Sequence, residues 1–476
     1  MKRNRLSESA KSAVVYTFST LFSRGLAIIT VPIFTRMMTT TQIGTVNLYN
    51  SWYSLISAFA TLSLTSGGFA VAMKEYAKER DRYQSSVLTL TSIIAVIIAV
   101  AFLLSPSFWS EILGLPKILI VVMLFGFLFA PARDFWLARQ RYEYKYKLAG
   151  VVTISSALIA SILSVLAVLY SNEYGTLDAA IARLIANYAV IYGVAAIIWI
   201  FTFVKGKTLF NLEYWKLSLA LSIPLVGYSI AAQILSVSDR MMISQMVGNS
   251  AVGIYGTLYT VSSLSLMIWQ AIHSSFVPFL FQNIESEGKR QNIKNVSFVL
   301  MLLYALIAVM LTYMAPEILK VLATEEYMEA IYIMPPIAAG VFFTAYANIY
   351  SDIAVYFKKT KYVMYPAIVA AVVNVVLNYI FIRIFSYMAA AYTTLIAYIF
   401  LAYLQAFWAN KVCKENGIID GKVFSDEKML VIAIATVVLC LFGMVLYHFT
   451  VLRYMAVLGV IMFSLFLLKN VMRLKY

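Results

Sequence analysis

Residues 86–106 read SVLTLTSIIAVIIAVAFLLSP, a run without a single charged side chain. A helix of about 20 such residues crosses the roughly 30 Å hydrocarbon core of a bilayer. Comparable runs recur along the whole 476-residue chain, in which 62% of residues are hydrophobic and 12% are charged. Soluble domains carry about 25% charged residues. The sequence therefore predicts an α-helical protein that crosses a membrane many times.

Fourteen apolar segments of this kind are separated by charged or turn-rich breaks. They lie near residues 13–35, 44–70, 86–106, 117–137, 148–170, 179–204, 217–247, 252–281, 296–315, 331–357, 362–382, 387–410, 429–447 and 452–469. No loop between them is long enough to fold as a separate domain. The predicted fold class is an all-α polytopic membrane protein with about 14 transmembrane helices.

The basic residues fall mostly on one side of this arrangement. Cytoplasmic loops retain lysine and arginine, whereas short translocated loops contain few of them. With the amino terminus inside, 29 of the 37 basic residues lie in inner segments and five lie in outer loops. The other three lie within spans. We therefore expect both termini to be cytoplasmic, and the net charge of +15, spread over short loops, does not indicate a nucleic-acid partner.

Short sequence matches recur in the two halves of the chain, 204 to 211 residues apart. The matching pairs are Arg36-Met37-Met38 with Arg240-Met241-Met242, Ile43-Gly44 with Val252-Gly253, and Ala179-Ala180 with Ala390-Ala391. Each repeat holds six spans, an even number, so both copies begin on the same side of the membrane. The pattern predicts two parallel six-helix lobes related by a pseudo-two-fold axis, at residues 1–210 and 211–412, and two additional C-terminal helices in residues 413–476.

Arg24 lies where lipid alone would not tolerate a charge. It stands 11 residues after Ala13, which is about 16 Å along a helix and near the middle of the bilayer. A charged side chain at that depth costs about 2.5–3.5 kcal/mol, so it indicates a partner or a water-filled cavity. Arg24 either forms a salt bridge between helices or lines a substrate cavity.

Other charged residues near or within the spans extend this reasoning. Arg36 and Arg240 occupy matching places in the two repeats, so they line a shared cavity, unless Arg36 is simply a solvated helix end. Asp239 precedes Arg240, and neighbours on a helix point about 100° apart, so the pair need not neutralise each other. Asp239 is therefore a candidate for a bridge to another helix or for ion coupling. Arg183 and Asp352 lie nearer the membrane interfaces, where a cavity or ion-coupling role is less pressing.

Three arginines near one deep carboxylate predict an electropositive cavity. Guanidinium groups bind phosphate through paired hydrogen bonds, so the expected guest is an anion. The predicted substrate-binding residues are Arg24, Arg36 and Arg240.

The histidines and cysteines predict neither a metal site nor a disulfide. His273 and His448 lie far apart, with no acidic or cysteine partner at ligand spacing, so we expect structural or interfacial roles. There are only two cysteines, Cys413 and Cys440. We expect no catalytic residue and no enzyme activity, because no large loop carries polar catalytic groups.

Three parts of the chain resemble the polysaccharide exporters called Wzx flippases. They are Val31-Pro32-Ile33-Phe34-Thr35-Arg36 with Ile43-Gly44, Ser238-Asp239-Arg240-Met241-Met242-Ile243 with Val252-Gly253-Ile254-Tyr255, and Asn374 to Asn378 leading to Ala389-Ala390-Ala391-Tyr392. These parts are similar to the ends or openings of the first, seventh, eleventh and twelfth spans of those proteins. Residues 383–387 depart from the family, in which Pro and Gly often precede the small-residue run.

The resemblance implies membership of the multidrug/oligosaccharidyl-lipid/polysaccharide (MOP) exporter superfamily, in which two lobes alternate their access. It implies a multi-pass protein of the bacterial cytoplasmic membrane that moves an undecaprenyl-pyrophosphate-linked oligosaccharide from the inner to the outer leaflet. The implied partners are this lipid-linked saccharide, the bilayer, a polysaccharide polymerase and glycosyltransferases. No cofactor is expected apart from a proton or sodium gradient. The alternatives are a cation-coupled multidrug antiporter and a lipid II or sporulation-type exporter of the same superfamily.

Overall fold

The computed structural model describes residues 8–65, 68–175, 177–418 and 421–473. These ranges are almost entirely helical and contain no strand. The helices are α1 (Glu8–Met37), α2 (Thr40–Ala60), α3 (Gly68–Glu75), α4 (Arg80–Leu104), α5 (Pro106–Leu113), α6 (Lys117–Tyr142), α7 (Tyr146–Tyr174), α8 (Ala179–Gly206), α9 (Leu212–Met246), α10 (Asn249–Ser262), α11 (Ser265–Asn283), α12 (Glu287–Tyr313), α13 (Ala315–Leu322), a 3₁₀ helix (Glu325–Ile333), α14 (Met334–Tyr356), α15 (Lys361–Ile384), α16 (Ala389–Glu415), α17 (Asp426–Leu446) and α18 (Thr450–Arg473).

The helices agree with the predicted spans. Twelve segments of the described chain are long and apolar enough to cross a membrane, and the bent helix α9 makes a thirteenth. The remaining predicted span, residues 44–70, corresponds to α2, which is helical but carries many polar side chains. The chain is therefore an all-α, multi-pass membrane protein, as predicted. The termini, which we expected to be cytoplasmic, lie partly outside the described residues, at 1–7 and 474–476.

The chain forms two compact units, Met1–Gly253 and Ile254–Tyr476. The first unit includes α9, because this helix packs on α2, α3 and α4. This division follows packing, whereas the predicted boundary at residue 210 follows the number of spans, so the predicted domain limits stay a prediction.

Within the first unit, α2 meets the beginning of α10 with no side chain between the backbones. A Cβ added to Gly44 would lie 1.7 Å from the Asn249 carbonyl oxygen, and one added to Gly253 would lie 2.0 Å from the Thr40 carbonyl oxygen. The contact is reciprocal, as a local two-fold relation between two helices produces. The glycines that matched each other in the sequence repeat thus touch in the folded chain.

The second predicted span is interrupted. Helix α2 begins with a capping box formed by Thr39 and Gln42 and ends at Ala60. Leu62 and Ser63 follow with φ angles of 48° and 50°, a left-handed conformation that non-glycine residues rarely adopt. The short helix α3 then packs on α6 and α9.

The second unit is built around α14. This helix packs on α11, α12, α15, α16 and α17, and most of its side chains from Met334 to Ala354 are buried. Helices α17 and α18 both pack on α12, which attaches the two predicted C-terminal helices to this unit. Both cysteines, Cys413 in α16 and Cys440 in α17, are unbonded and fully buried.

Candidate functional site

Arg183 lines a polar cavity inside the first unit. The cavity has a volume of about 240 Å³ and lies between α1, α2, α7 and α8. Its lining combines the guanidinium with small hydroxyl and amide side chains and with apolar residues: Ser23, Ala27, Thr30, Phe34, Val46, Asn50, Ala157, Ala160, Ser161, Ser164, Arg183, Leu184, Asn187 and Ile191. Because this lining contains a cation and no carboxylate, the arginine cavity suits an anionic group.

The Arg183 guanidinium is positioned from one side by α1. Its Cζ lies 3.6 Å from the centroid of the Phe34 ring, and its Nη1 lies 3.8 Å from the Met38 sulfur. A guanidinium over an aromatic face is attracted by the ring quadrupole. Sequence reasoning gave Arg183 a minor role, because it considered depth in the membrane and not the surrounding hydroxyl groups.

The two predicted binding residues on α1 both have exposed side chains. Arg24 follows Ser23, a residue that lines the arginine cavity. Arg36 lies in the last turn of α1, where its Nη1 donates a 2.9 Å hydrogen bond to the Pro32 carbonyl. A cation in the last turn of a helix is favoured by the helix dipole, so this geometry agrees with the solvated-end interpretation of Arg36 as well as with a cavity role.

Arg240 and Asp239 are both buried near the end of α9. One oxygen of the Asp239 carboxylate accepts a 2.7 Å hydrogen bond from the Arg240 backbone amide and lies 3.6 Å from Nη1 of the same residue. Nη1 also donates to the Ser236 carbonyl at 2.8 Å. Adjacent helical positions point about 100° apart, but the Arg240 side chain is long enough to reach back to Asp239. The two charges therefore interact within α9 itself.

Asp352 has a partner that its sequence position did not reveal. In the second unit, Asp352 Oδ2 on α14 lies 2.8 Å from Nε2 of His273 on α11. Trp269 stacks on the His273 ring, with centroids 5.4 Å apart. His273 and Asp352 are 79 positions apart in the sequence, so only the packing of α11 on α14 brings them together.

An apolar groove lies between α12, α17 and α18 in the second unit. Its volume is about 920 Å³. The lining is almost entirely aliphatic and aromatic, with Glu427 and Lys428 at the beginning of α17: Phe298, Leu302, Ala305, Leu306, Val309, Tyr313, Glu427, Lys428, Val431, Ile432, Ala435, Thr436, Leu439, Ala456, Gly459, Val460 and Phe463. Such a lining suits a hydrocarbon chain.

An ionic network connects the ends of α4 and α6 in the first unit. The Glu143 carboxylate accepts from Lys145 at 2.6 Å, from Arg139 at 3.0 Å and from Arg80 at 3.3 Å. Burial by itself would raise the pKa of Glu143, but the hydrogen bonds from Lys145 and Arg139 outweigh it and lower the pKa below its ordinary value. This network holds the helix ends together on the side that we predict to be cytoplasmic.

The described residues contain no group of three or more histidine, cysteine, aspartate or glutamate side chains that could hold a metal ion.

Two sequence-family models match parts of this chain. The sequence model described as polysaccharide biosynthesis protein matches residues 9–284, which is more than half of the chain. The chain belongs to the polysaccharide biosynthesis protein family. The matched range of this polysaccharide biosynthesis protein contains the arginine cavity, Arg240 and Asp239. A second sequence model, MatE, matches residues 224–380. No curated protein sequence matches the chain.

Solved structures of transporters share the fold of this polysaccharide biosynthesis protein. Lipid II flippase MurJ in an inward closed conformation has a TM-score of 0.68 at 14% identity, covering 97% of this chain and 98% of that one. An inward-facing MATE family multidrug resistance transporter of the MOP superfamily has a TM-score of 0.61 at 14% identity, with coverages of 83% and 94%. A MOP superfamily transporter from Pyrococcus furiosus has a TM-score of 0.52 at 14% identity, with coverages of 86% and 96%. At these identities the likeness establishes the fold, which is that of the MOP superfamily.

Proposed function

We propose that this polysaccharide biosynthesis protein is a flippase for an undecaprenyl-pyrophosphate-linked oligosaccharide. It carries this substrate from the inner to the outer leaflet of a bacterial cytoplasmic membrane by alternating access, for the export of a surface polysaccharide such as O-antigen or capsule. Both termini lie in the cytoplasm. Glycosyltransferases supply the substrate, and a polysaccharide polymerase uses it on the outer side.

The observation that carries this proposal is the apolar groove between α12, α17 and α18. A lipid-linked substrate must keep a long hydrocarbon chain in an apolar environment while its polar head crosses the membrane. Helices α12, α17 and α18 supply the groove walls, and a soluble or small amphiphilic drug has no need of a groove of this volume. The membership in a polysaccharide biosynthesis family supports the saccharide part of the substrate.

The arginine cavity supports the anionic part of the substrate. A pyrophosphate carries several acceptor oxygens, and a guanidinium can satisfy two of them at once. In this proposal, Arg183 and Arg24 bind the pyrophosphate from α8 and α1, and Arg36 and Arg240 contribute positive charge from the ends of α1 and α9.

A substitution that fills the groove tests the lipid part of the proposal. Gly459 lines the groove, and a Cβ added there would meet no atom of the surrounding helices within 4 Å. Gly459→Trp should therefore fold normally while occupying the space of the lipid chain. We expect loss of surface polysaccharide and accumulation of the lipid-linked saccharide in the cytoplasmic leaflet. Gly193→Trp, at an equally open position of α8, is the matched control. Normal export by the Gly459→Trp protein would overturn the groove assignment.

Arginine substitutions test the anion site. Arg24→Ala and Arg183→Ala remove a guanidinium, and Arg183→Lys keeps the charge but loses the paired hydrogen bonds. We expect both alanine variants to export at least tenfold less polysaccharide at wild-type protein levels, because a hydrogen bond to a charged group contributes about 1.5–3 kcal/mol. Wild-type export by Arg24→Ala would remove Arg24 from the site.

We also propose that a proton gradient drives the cycle through the Asp352 and His273 pair. A carboxylate 2.8 Å from an imidazole nitrogen shares a position that a proton can occupy or leave. Asp239, paired with Arg240, is the second candidate, and a sodium gradient is the alternative driving force. Asp352→Asn should abolish proton uptake by proteoliposomes during transport, and unchanged uptake would transfer the role to Asp239.

A multidrug antiporter is the second candidate function, and the match of residues 224–380 to the MatE sequence model favours it. A deletion strain distinguishes the two. The flippase proposal predicts loss of surface polysaccharide with unchanged drug susceptibility, whereas an antiporter predicts the reverse. A lipid II exporter would instead impair peptidoglycan synthesis.

A further inference from the structure

A second polar pocket lies inside the first unit, between α2 and α9. Its volume is about 290 Å³, close to the lower end of the roughly 300–1,000 Å³ of ligand sites, which leaves room for one small ring. Nine residues line it: Tyr53, Ser54, Ser57, Ala58, Thr61, Ser63, Thr65, Ser229 and Gln233. Every one except Ala58 carries a hydroxyl or an amide, and none carries a charge. We call it the hydroxyl pocket.

The hydroxyl pocket lies beside interruptions in both of its helices. On one side, α2 ends at Ala60 and the chain turns through the left-handed residues Leu62 and Ser63. On the other side, α9 bends by 47° between Ile223 and Leu225, just before Ser229 and Gln233. Interrupted membrane helices in transporters mark substrate sites, because irregular backbone is tolerated there only where it lines a cavity.

Some of the polar groups that line the hydroxyl pocket form hydrogen bonds with one another. The Thr61 hydroxyl donates to the Ser57 carbonyl at 2.9 Å, and the Ser63 hydroxyl donates to the Ser229 hydroxyl at 2.9 Å. The second bond links the turn after α2 directly to α9, which fixes the shape of the pocket.

The remaining polar groups are available to a guest. The side chains of Ser54, Ser57, Thr65 and Gln233 make no hydrogen bond to any residue that the structure describes. A serine in a membrane helix ordinarily donates to the carbonyl four residues earlier. Ser54 and Ser57 do not, and an amide and several hydroxyls without partners in a membrane span are costly unless water or a ligand satisfies them.

We infer that the hydroxyl pocket binds a sugar ring of the carried saccharide. Hydroxyl and amide groups both donate and accept, so they match the mixed donor and acceptor pattern of a neutral polyol. A pyrophosphate would find no cation in this pocket, and a hydrocarbon chain would leave the polar groups unsatisfied. The inference rests on the proposed flippase function, and it assigns recognition of the sugar to residues separate from the arginines that bind the phosphate.

The test compares two lipids bound to the full-length protein in nanodiscs. One is the lipid-linked saccharide extracted from a strain that lacks this protein, and the other is undecaprenyl pyrophosphate without sugar. The variants are Gln233→Leu and the double variant Ser54→Ala/Ser57→Ala, which keeps good helix formers in α2. Gln245→Leu is the control outside the pocket, at an exposed position later in α9 where the amide donates to the Ile112 carbonyl at 3.2 Å.

We expect each hydrogen bond lost to weaken binding of the saccharide-bearing lipid about threefold to tenfold. Affinity for undecaprenyl pyrophosphate should not change, and neither should the melting temperature. Equal affinity of variants and wild type for the saccharide-bearing lipid would overturn the sugar site while leaving the flippase proposal intact. If the wild-type protein binds neither lipid, both proposals are overturned.

Discussion

Arg183 and Arg240 show how differently two membrane arginines can be used. Arg183 meets an aromatic ring and a cavity lined by hydroxyl and amide groups, whereas Arg240 is buried against the carboxylate that precedes it in the sequence. The first arrangement places a guanidinium in the wall of a polar cavity, and the second lowers the cost of a buried cation.

The glycine contact between α2 and α10 predicts a large effect from one methyl group. Gly44→Ala would place its Cβ 1.7 Å from the Asn249 carbonyl oxygen, so the backbones must separate. Overpacking of this kind costs about 1–3 kcal/mol or more, and we expect a lower melting temperature in detergent. Gly193→Ala, where nothing lies within 4 Å, should not lower it. Equal melting temperatures for both variants would contradict the close contact.

The Glu143 network predicts a pH-dependent contribution to stability. Because the folded protein lowers the pKa of Glu143 from its ordinary value of 4.5, the ionised form is favoured by folding. The contribution is fully present above pH 4.5 and is lost as the pH falls through the lower, folded-state pKa. Glu143→Gln should therefore melt at a lower temperature than wild type at pH 7, and this difference should shrink below pH 4.5. A difference that does not vary with pH would argue against an ionised Glu143.

At the scale of helices, the sequence predicted well which helices exist and in which order they follow. The reason is that about twenty apolar residues in a bilayer can satisfy their backbone hydrogen bonds only as a helix. It did not predict the interruption after α2, since the residues from Thr61 to Thr65 contain neither glycine nor proline. The turn is instead accompanied by tertiary packing, in which α3 contacts α6 and α9. The pairing of His273 with Asp352 escaped prediction for the same reason: tertiary packing between distant helices leaves no local pattern.

A buried polar ladder connects α15 to α16. Asn374 Nδ2 donates to the Thr394 hydroxyl at 3.2 Å, Asn378 Nδ2 donates to the Asn374 side-chain oxygen at 3.2 Å, and Thr393 donates to Asn378. In a membrane such bonds contribute about 0.6 kcal/mol on average and up to about 1.7 kcal/mol. A double-mutant cycle of Asn374→Ala and Thr394→Val should give a coupling energy in this range. Strict additivity would mean that this bond contributes nothing.

At the scale of the whole molecule, the predicted fourteen-span topology implies which loops lie on which side of the membrane. A carboxyl-terminal alkaline phosphatase fusion is active only when it is exported. The distribution of basic residues places the loop after Asn283 inside and the segment near Ala323 outside. A fusion truncated after Glu285 should therefore be inactive, and one truncated after Thr324 should be active. The opposite result would reverse the proposed orientation of every loop.

The two buried cysteines make this protein suitable for cysteine-labelling experiments. Cys413 and Cys440 are sealed within helix packing, so the natural chain should react little with membrane-impermeant maleimides. A single cysteine introduced in place of Ser54 or Gln233 would then report the solvent accessibility of that position from either face of the bilayer. Labelling rates measured with and without substrate would follow the opening of that position directly, in living cells and without removing either native cysteine.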